Sequence, residues 1–372
     1  MELIDEDTLR MLQDSASDFT SGCASQVRKS RELEFRYDKA VWKRIADQGW
    51  ISAVIPADKG GLGMGNASVN VIAAHIGAAA LPEPYVMAGI LPATLLSACE
   101  TDIDLGSKLS AIASGQLVCA LAWQNVAGSL DPNETPLTAT FDAEGTVLNG
   151  SAHYVMACGL DAVIAVASGP DGLGIYWVPT TSDNLAVELS TRADRGYDAT
   201  ISFKAVRVPR QNRLACGHSV ERAVNGAINA GLAAVSSELN GASAKMVEMT
   251  LDYLRTRQQF GKPIGSFQAL KHRAVDLWMH TEISKEATRK AANELDNTRL
   301  SPSHHSAVAS GAKARASDTA LLVGKQAIQM HGAIGITDEY DLSLYFNRAI
   351  VLSAYLGNSA LHRARYATYR KG

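Results

Sequence analysis

The sequence predicts an α+β protein built in three successive blocks, helical over residues 1–115, β-rich over 116–218 and helical again over 219–372. Two changes of apolar period carry this reading. Helix-like spacing gives way near Gln116 to short alternating runs, and long helical periods return near Ser219. With 372 residues, 47% of them hydrophobic, the chain can bury a large core in more than one packed layer.

In the first block Leu9 and Leu12, then Val41, Ile45 and Trp50, recur at helical spacings among polar residues. IPADKGGLGMG, from Ile55 to Gly65, joins a proline to four glycines and predicts a tight surface loop. The runs QLVCALAW, TPLTATFD, GTVLNGSAHYV, DAVIAVAS, GIYWVP and TISFKAVRVP are β-branched or alternating, and turn residues separate them. Asp142 to Gly145 reads as a hairpin turn. The closing helices are expected through Leu254, from Gln268 to about Leu295, from Pro302 to about Met330, and from Asp341 onward. Gly261 with Pro263, and later Gly332, supply helix stops.

Charge and cysteine usage exclude several classes. The net charge of −3 has both signs scattered along the chain, unlike the basic footprint of a nucleic-acid binder. Cys23, Cys99, Cys119, Cys158 and Cys216 are widely spaced, form no metal-ligand pattern, and read as buried thiols in a reducing cytoplasm. The acidic start MELIDEDTLRMLQ is the reverse of a signal peptide. The most apolar stretch, His75 to Cys99, is broken by Pro82, Glu83, Pro84 and Pro92, so membrane insertion is not expected.

Four segments give the chain a resemblance that spans nearly all of it: DQGWISAVIPADKGGLGMG, GTVLNGSAHYV, YLRTRQQFGKPIGSFQALKHR and AIQMHGAIGITDEYDLSLYFNRA. They resemble the acyl-CoA dehydrogenase family. With ALPEPY at Ala80 to Tyr85, the third segment is most similar to the bacterial pimeloyl-CoA dehydrogenase small-subunit branch and to the steroid side-chain dehydrogenases. The resemblance implies an N-terminal helical domain, a middle β domain and a C-terminal four-helix bundle. It also implies FAD lying between them and across a subunit interface.

A dinucleotide pyrophosphate needs a fixed cation and backbone N–H donors, which Arg257 and the turn at Gly332 and Gly335 are suited to supply. By resemblance these groups reach the FAD of a neighbouring subunit. Phe260 and Gln268 match positions lining its adenine end, and Gln329 matches one that hydrogen-bonds the dinucleotide. Each residue also has an ordinary reading as surface cation, core aromatic or turn, and it is the set at family spacing that argues for function. On the β side Ser129 is kept in the turn Ala127, Gly128, Ser129, but Trp123 and Gln124 stand where the family has threonine and an acid. Tyr154 and Met156 replace its Trp-x-Thr beside the flavin ring, keeping an aromatic face but losing a hydroxyl donor.

Desaturating an acyl thioester needs a carboxylate for the α proton, which the family places in Tyr-Glu-Gly. Here that motif is Tyr355, Leu356 and Gly357, so only the Leu356 backbone N–H is left to polarise a thioester carbonyl. A second family position for the base corresponds to Gly231 and is also empty. Glu238, seven residues on and sharing a face with Gly231, has the small or apolar neighbours Ala234, Val235, Gly241 and Ala242 at three and four positions, with no cation among them. It is the candidate catalytic base, weighed against a glutamate bonded to another helix or to solvent, the reading given slightly more weight. His331 reads as a turn-shaping residue, and His304 with His305 as solvated loop residues.

Three functions follow from the resemblance. The first is an FAD-dependent acyl-CoA dehydrogenase, a homo-oligomer or one half of a paired tetramer in lipid or steroid degradation, passing electrons to an electron-transfer flavoprotein. The second is a non-catalytic subunit supporting a partner's FAD site. The third is a flavin monooxygenase on the same fold.

Overall fold

The computed structural model describes residues 4–21, 23–143, 145–156 and 159–371, so Glu144 of the expected hairpin turn and Cys158 lie outside the described residues. Backbone contacts divide the chain into two compact units. One is chiefly Arg28–Val69 with Pro82–Gly231, and the other Asp5–Val27, Asn70–Leu81 and Leu232–Gly372.

The N-terminal helices are α1 Glu6–Thr20, α2 Ala24–Ser30, α3 Lys39–Asp47, α4 Gly65–Ala78, α5 Leu91–Ala98 and α6 Gly106–Ala113. Aspartates start two of them: Asp5 Oδ1 accepts the Thr8 N–H at 2.7 Å, and Asp38 Oδ1 accepts that of Ala40 at 2.8 Å. Such caps satisfy donors that the first turn leaves over. The proline-broken apolar stretch resolves into α4, a π-helical segment Tyr85–Ile90, and α5. Pro92 sits in the first turn of α5, where its missing N–H goes unneeded.

The first unit carries the strands β1 Cys119–Ala122, β2 Thr138–Phe141, β3 Thr146–Met156, β4 Ala162–Gly169, β5 Gly172–Pro179, β6 Leu185–Thr191, β7 Tyr197–Val208 and β8 Arg213–Cys216. They form one mixed sheet in the order β6-β7-β3-β2-β4-β5-β8, with β1 parallel to β4. The β2–β3 hairpin closes where expected, Phe141 opposite Thr146 and the Asp142 N–H donating to Gly145 O at 3.0 Å. Leu148, Val163, Ala165, Val178, Ile201 and Phe203 fill its core. Two strands escape the sequence reading. β6 alternates Leu185, Val187 and Leu189 with smaller or polar residues but is an edge strand with no buried side chain, and β8 has only four residues, too few to show a period.

The long helices are α7 His218–Thr256, α8 Gln268–Leu295, α9 Pro302–His331, α10 Leu342–Ala354 and α11 Ser359–Lys371. Within the second unit α9 packs against α8, α10 and α11. A β-carbon added to Gly241 of α7 would lie 1.8 Å from Ala74 O of α4, and one on Gly77 would lie 1.9 Å from Glu238 O. These glycines let the two backbones touch, so larger residues there would part the helices.

Three expectations are corrected. His304 and His305 lie in the first turn of α9, not in a loop; His304 Nε2 is 2.7 Å from Glu294 Oε2, and His305 Nε2 is 3.2 Å from Asn297 O. Cys216 is exposed, whereas Cys23, Cys99 and Cys119 are buried, and none of the four forms a disulfide among the described residues. The segment after Asp341 breaks into α10 and α11 at Tyr355–Asn358. No helix of the described residues is long and apolar enough to cross a membrane.

Candidate functional site

At the end of α7 the chain makes a tight hairpin between β9 Gln258–Gln259 and β10 Lys262–Pro263. Phe260 and Gly261 form its two-residue turn at φ 53° and 75°, the left-handed pair such a turn requires. The Ile264 N–H closes the hairpin on Arg257 O at 2.8 Å. Phe260 is held out rather than folded in: 90% exposed, it meets Phe267 edge-on at 6.1 Å. Arg257, Gln268 and Gln329 are also exposed, and their side chains make no hydrogen bond or ion pair with the described residues.

His331 ties this region together. Its ring stacks on Tyr253 of α7 at 4.4 Å, Nδ1 lies 2.8 Å from Ala327 O, and Nε2 lies 3.3 Å from Tyr340 Oη. Burial lowers its pKa, so the ring is a neutral brace, which matches its reading as a turn-shaper. Gly332, at φ 68° and ψ −147°, ends α9 in a conformation that a side chain disfavours. A free guanidinium, two free amides, a projecting aromatic ring and a glycine turn suit a phosphate-linked dinucleotide brought by another body.

On the β side, Tyr154 lies at an irregularity where the β3–β7 register shifts between Ala152 and Val155, with φ 57°. Bulges of this kind re-aim a side chain. Its hydroxyl donates to Val126 O at 2.8 Å, and the ring stays 46% exposed. Gln124 Nε2 donates to Gly128 O at 3.1 Å from the other side of the same turn. Ser129 Oγ accepts the Asp131 N–H at 3.2 Å, which leaves its proton available to donate. The indole N–H of buried Trp123 has no partner among the described residues. An unused buried donor at the position that the resemblance assigns to a flavin-bonding threonine fits FAD, as does the Ser129 hydroxyl. The Met156 side chain lies outside the described residues.

The structure speaks against Glu238 as base. The residue is 1% exposed, and its Oε1 accepts Arg348 Nε at 2.9 Å and Nη2 at 2.6 Å from α10. The cation missing at three and four positions along its own helix comes from 110 residues away. A carboxylate held by a buried guanidinium offers its lone pairs to that partner rather than to a substrate proton. Arg348 itself was missed, though Leu344, Tyr345 and Leu352 flank it at helical spacing and mark its face as buried.

Leu356 is 2% exposed with φ 55°, and its peptide N–H has no acceptor among the described residues. The N–H groups on either side are used, Tyr355 donating to Val351 O and Gly357 to Ala354 O. The Leu356 carbonyl lies 2.8 Å from His362 Nε2. The Gly357 and Ser353 carbonyls accept from Lys313 Nζ at 3.0 and 3.1 Å. Both His362 and Lys313 are fully buried and were missed in the sequence, where the cue for Lys313 was its alanine-rich surroundings GAKARAS.

Comparisons with known proteins agree on one family. Models of the acyl-CoA dehydrogenase N-terminal and C-terminal domains match residues 6–98 and 221–368. The acyl-CoA dehydrogenase IpdE2 of Mycobacterium tuberculosis is 26% identical over 324 residues, 87% of this chain and 84% of that protein. A solved variant of the Tcur3481-Tcur3483 steroid ACAD superposes with TM-score 0.86 at 23% identity over 98% of both chains. The ChsE4-ChsE5 complex of Mycobacterium tuberculosis gives TM-score 0.87 at 21% identity over 100% of this chain and 99% of that one. At these identities the structural likeness speaks for the fold.

Proposed function

Because the chain belongs to the acyl-CoA dehydrogenase family, we propose that it works as one subunit of a paired FAD-dependent acyl-CoA dehydrogenase, completing a flavin site whose base its partner supplies. The observation that carries this reading is the Glu238–Arg348 pair, which removes the only carboxylate that the sequence offered for the reaction. Leucine at 356 and glycine at 231 hold no proton acceptor either.

When bound, FAD supplies the hydride acceptor of the reaction. The part assigned to this chain is positioning. Arg257 neutralises phosphate charge, Gln268 and Gln329 donate to the dinucleotide, Gly332 admits it closely, and Phe260 covers its adenine end. Within its own β unit, Trp123 and Ser129 offer donors and Tyr154 an aromatic face to a second flavin. The Leu356 N–H holds a thioester carbonyl.

The partner is either a second copy or a related dehydrogenase chain. The exposed face of α8, with Val275, Trp278, Met279 and Ile283 at helical spacing, supports an assembled state. The relatives named as a complex and as a steroid enzyme favour a related chain and a bulky or ring-bearing acyl group. An electron-transfer flavoprotein is the acceptor that suits such a subunit, and buried thiols outside any disulfide suit a reducing cytoplasm. Purification alone and with a base-bearing partner tests the reading. Flavin should bind, and an acyl-CoA should reduce it, only in the complex. Flavin reduction by an acyl-CoA in the chain alone refutes it.

A further inference from the structure

The turn joining α10 to α11 is built at several points at once. Leu356 takes a left-handed conformation that a residue with a β-carbon adopts only at a penalty. Its N–H is withheld from every acceptor among the described residues, although an unused buried N–H is itself unfavourable. Such features persist only where the surroundings impose them.

The surroundings that impose them are two buried side chains from different helices. Lys313 Nζ of α9 donates toward Ser317 Oγ at 3.1 Å, Ser353 O at 3.1 Å and Gly357 O at 3.0 Å. His362 of α11 donates through Nε2 to Leu356 O, while its Nδ1 has no partner among the described residues. Burial lowers the His362 pKa to about 3, with the Lys313 charge adding to the effect, so the ring is neutral and its one proton lies on Nε2. Two successive carbonyls are therefore clamped from two sides, which fixes the plane of the peptide between them and the tilt of the one before. A β-carbon on Gly357 would sit 3.1 Å from His362 Nε2, so the turn is also sterically closed around the clamp.

We propose that Lys313 and His362 are positioning residues that hold the Leu356 N–H open as the donor to an acyl thioester carbonyl. This chain thereby keeps a thioester-binding site without a base beside it. The inference rests on the acyl-CoA reading above and extends it to residues that touch neither substrate nor flavin. It also separates binding from turnover: a site with the donor but no proton acceptor holds an acyl-CoA without consuming it.

The test compares two ligands, octanoyl-CoA and octyl-CoA, its thioether analogue without the carbonyl. Titration calorimetry on the flavin-loaded complex, with the partner's catalytic base replaced so that octanoyl-CoA is bound and not oxidised, compares wild type, Lys313→Met, His362→Leu and His362→Gln and reads the ratio of the two affinities. A neutral hydrogen bond supports a preference for the thioester of about three- to tenfold in wild type. His362→Gln, which keeps a donor, should retain most of that preference. His362→Leu and Lys313→Met should abolish it while binding the thioether as wild type does, a pattern that general loosening, weakening both ligands, does not give. If Lys313→Met fails to fold, the two His362 variants decide alone. Equal affinities in wild type, or an unchanged preference in both His362→Leu and Lys313→Met, overturn the inference and leave the acyl-CoA reading standing. Failure of wild type to bind either ligand overturns both.

Discussion

Replacing Glu238 by Leu leaves Arg348, 4% exposed, as an uncompensated buried cation. Removing one partner of such a pair destabilises by about 3–5 kcal/mol, whereas replacing both by apolar groups of similar volume is often neutral. At an unfolding entropy of about 2.1 cal/mol/K per residue, a loss of about 4 kcal/mol over this chain length lowers the melting temperature by about 5 °C. Arg348→Met should fall by a similar amount, and Glu238→Leu with Arg348→Met should recover most of the loss. Thermal denaturation of the three variants measures the cycle, and flavin reduction by an acyl-CoA in the assembled complex measures the chemistry. Reduction should be unchanged in the double variant. A Glu238→Leu protein as stable as wild type but slowed about a hundredfold or more would refute the structural assignment and restore Glu238 as a base.

Arg257→Ala should lower the flavin content of the complex without lowering its melting temperature, because the side chain is exposed and unpaired within the described residues; unchanged flavin stoichiometry would remove Arg257 from the site. Trp123→Phe removes the unpartnered indole N–H while keeping the ring, so flavin bound by this chain should be released more readily and its visible spectrum should shift; an unaltered spectrum and affinity would show that the donor is not used. His362 is neutral when folded down to about pH 3 but takes a proton near 6.5 when unfolded, so stability should decline as pH falls from about 6.5 toward 3. Urea midpoints across that range should fall less steeply in His362→Gln. For Lys313, which burial lowers from 10.5 to about 7, the folded state releases its proton first, so stability should rise between pH 7 and 10.5, and Lys313→Met should flatten that rise.

Local chemistry was legible in the sequence and distant pairing was not. α8 runs from Gln268 to Leu295 as its period implies, because a long amphipathic pattern ends there at Asp296 and the following turn. The hairpin at Phe260 and Gly261 was read only as a helix stop, since a glycine after a helix signals termination whatever follows it. β6 carried a short alternation at Leu185, Val187 and Leu189, but an edge strand exposed on both faces gives that pattern little weight. Glu238 misled for a related reason. Neighbours at three and four positions describe one helix surface, and they are silent about an arginine on α10. The three sequential blocks likewise carry no mark of the grouping in which Asp5–Val27 and Asn70–Leu81 join the C-terminal helices.

Backbone strain supplies the link between the parts that the side chains leave separate. Among the described residues eight non-glycine positions have positive φ, and Tyr154, Phe260 and Leu356 are three of them. All three are positions that motif spacing had singled out for flavin or substrate contact. Each conformation is unfavourable by roughly 1–3 kcal/mol, and each is held by its own device: a bulge in β3, a two-residue hairpin turn, and the carbonyl clamp of Lys313 and His362. A chain that had given up the site altogether would have no reason to hold these residues so. One that had kept full chemistry would not have leucine at position 356 and its nearest candidate carboxylate bound to Arg348. The two facts together support the proposed reading of a subunit that preserves the shape of a dehydrogenase site and leaves the proton transfer to another chain.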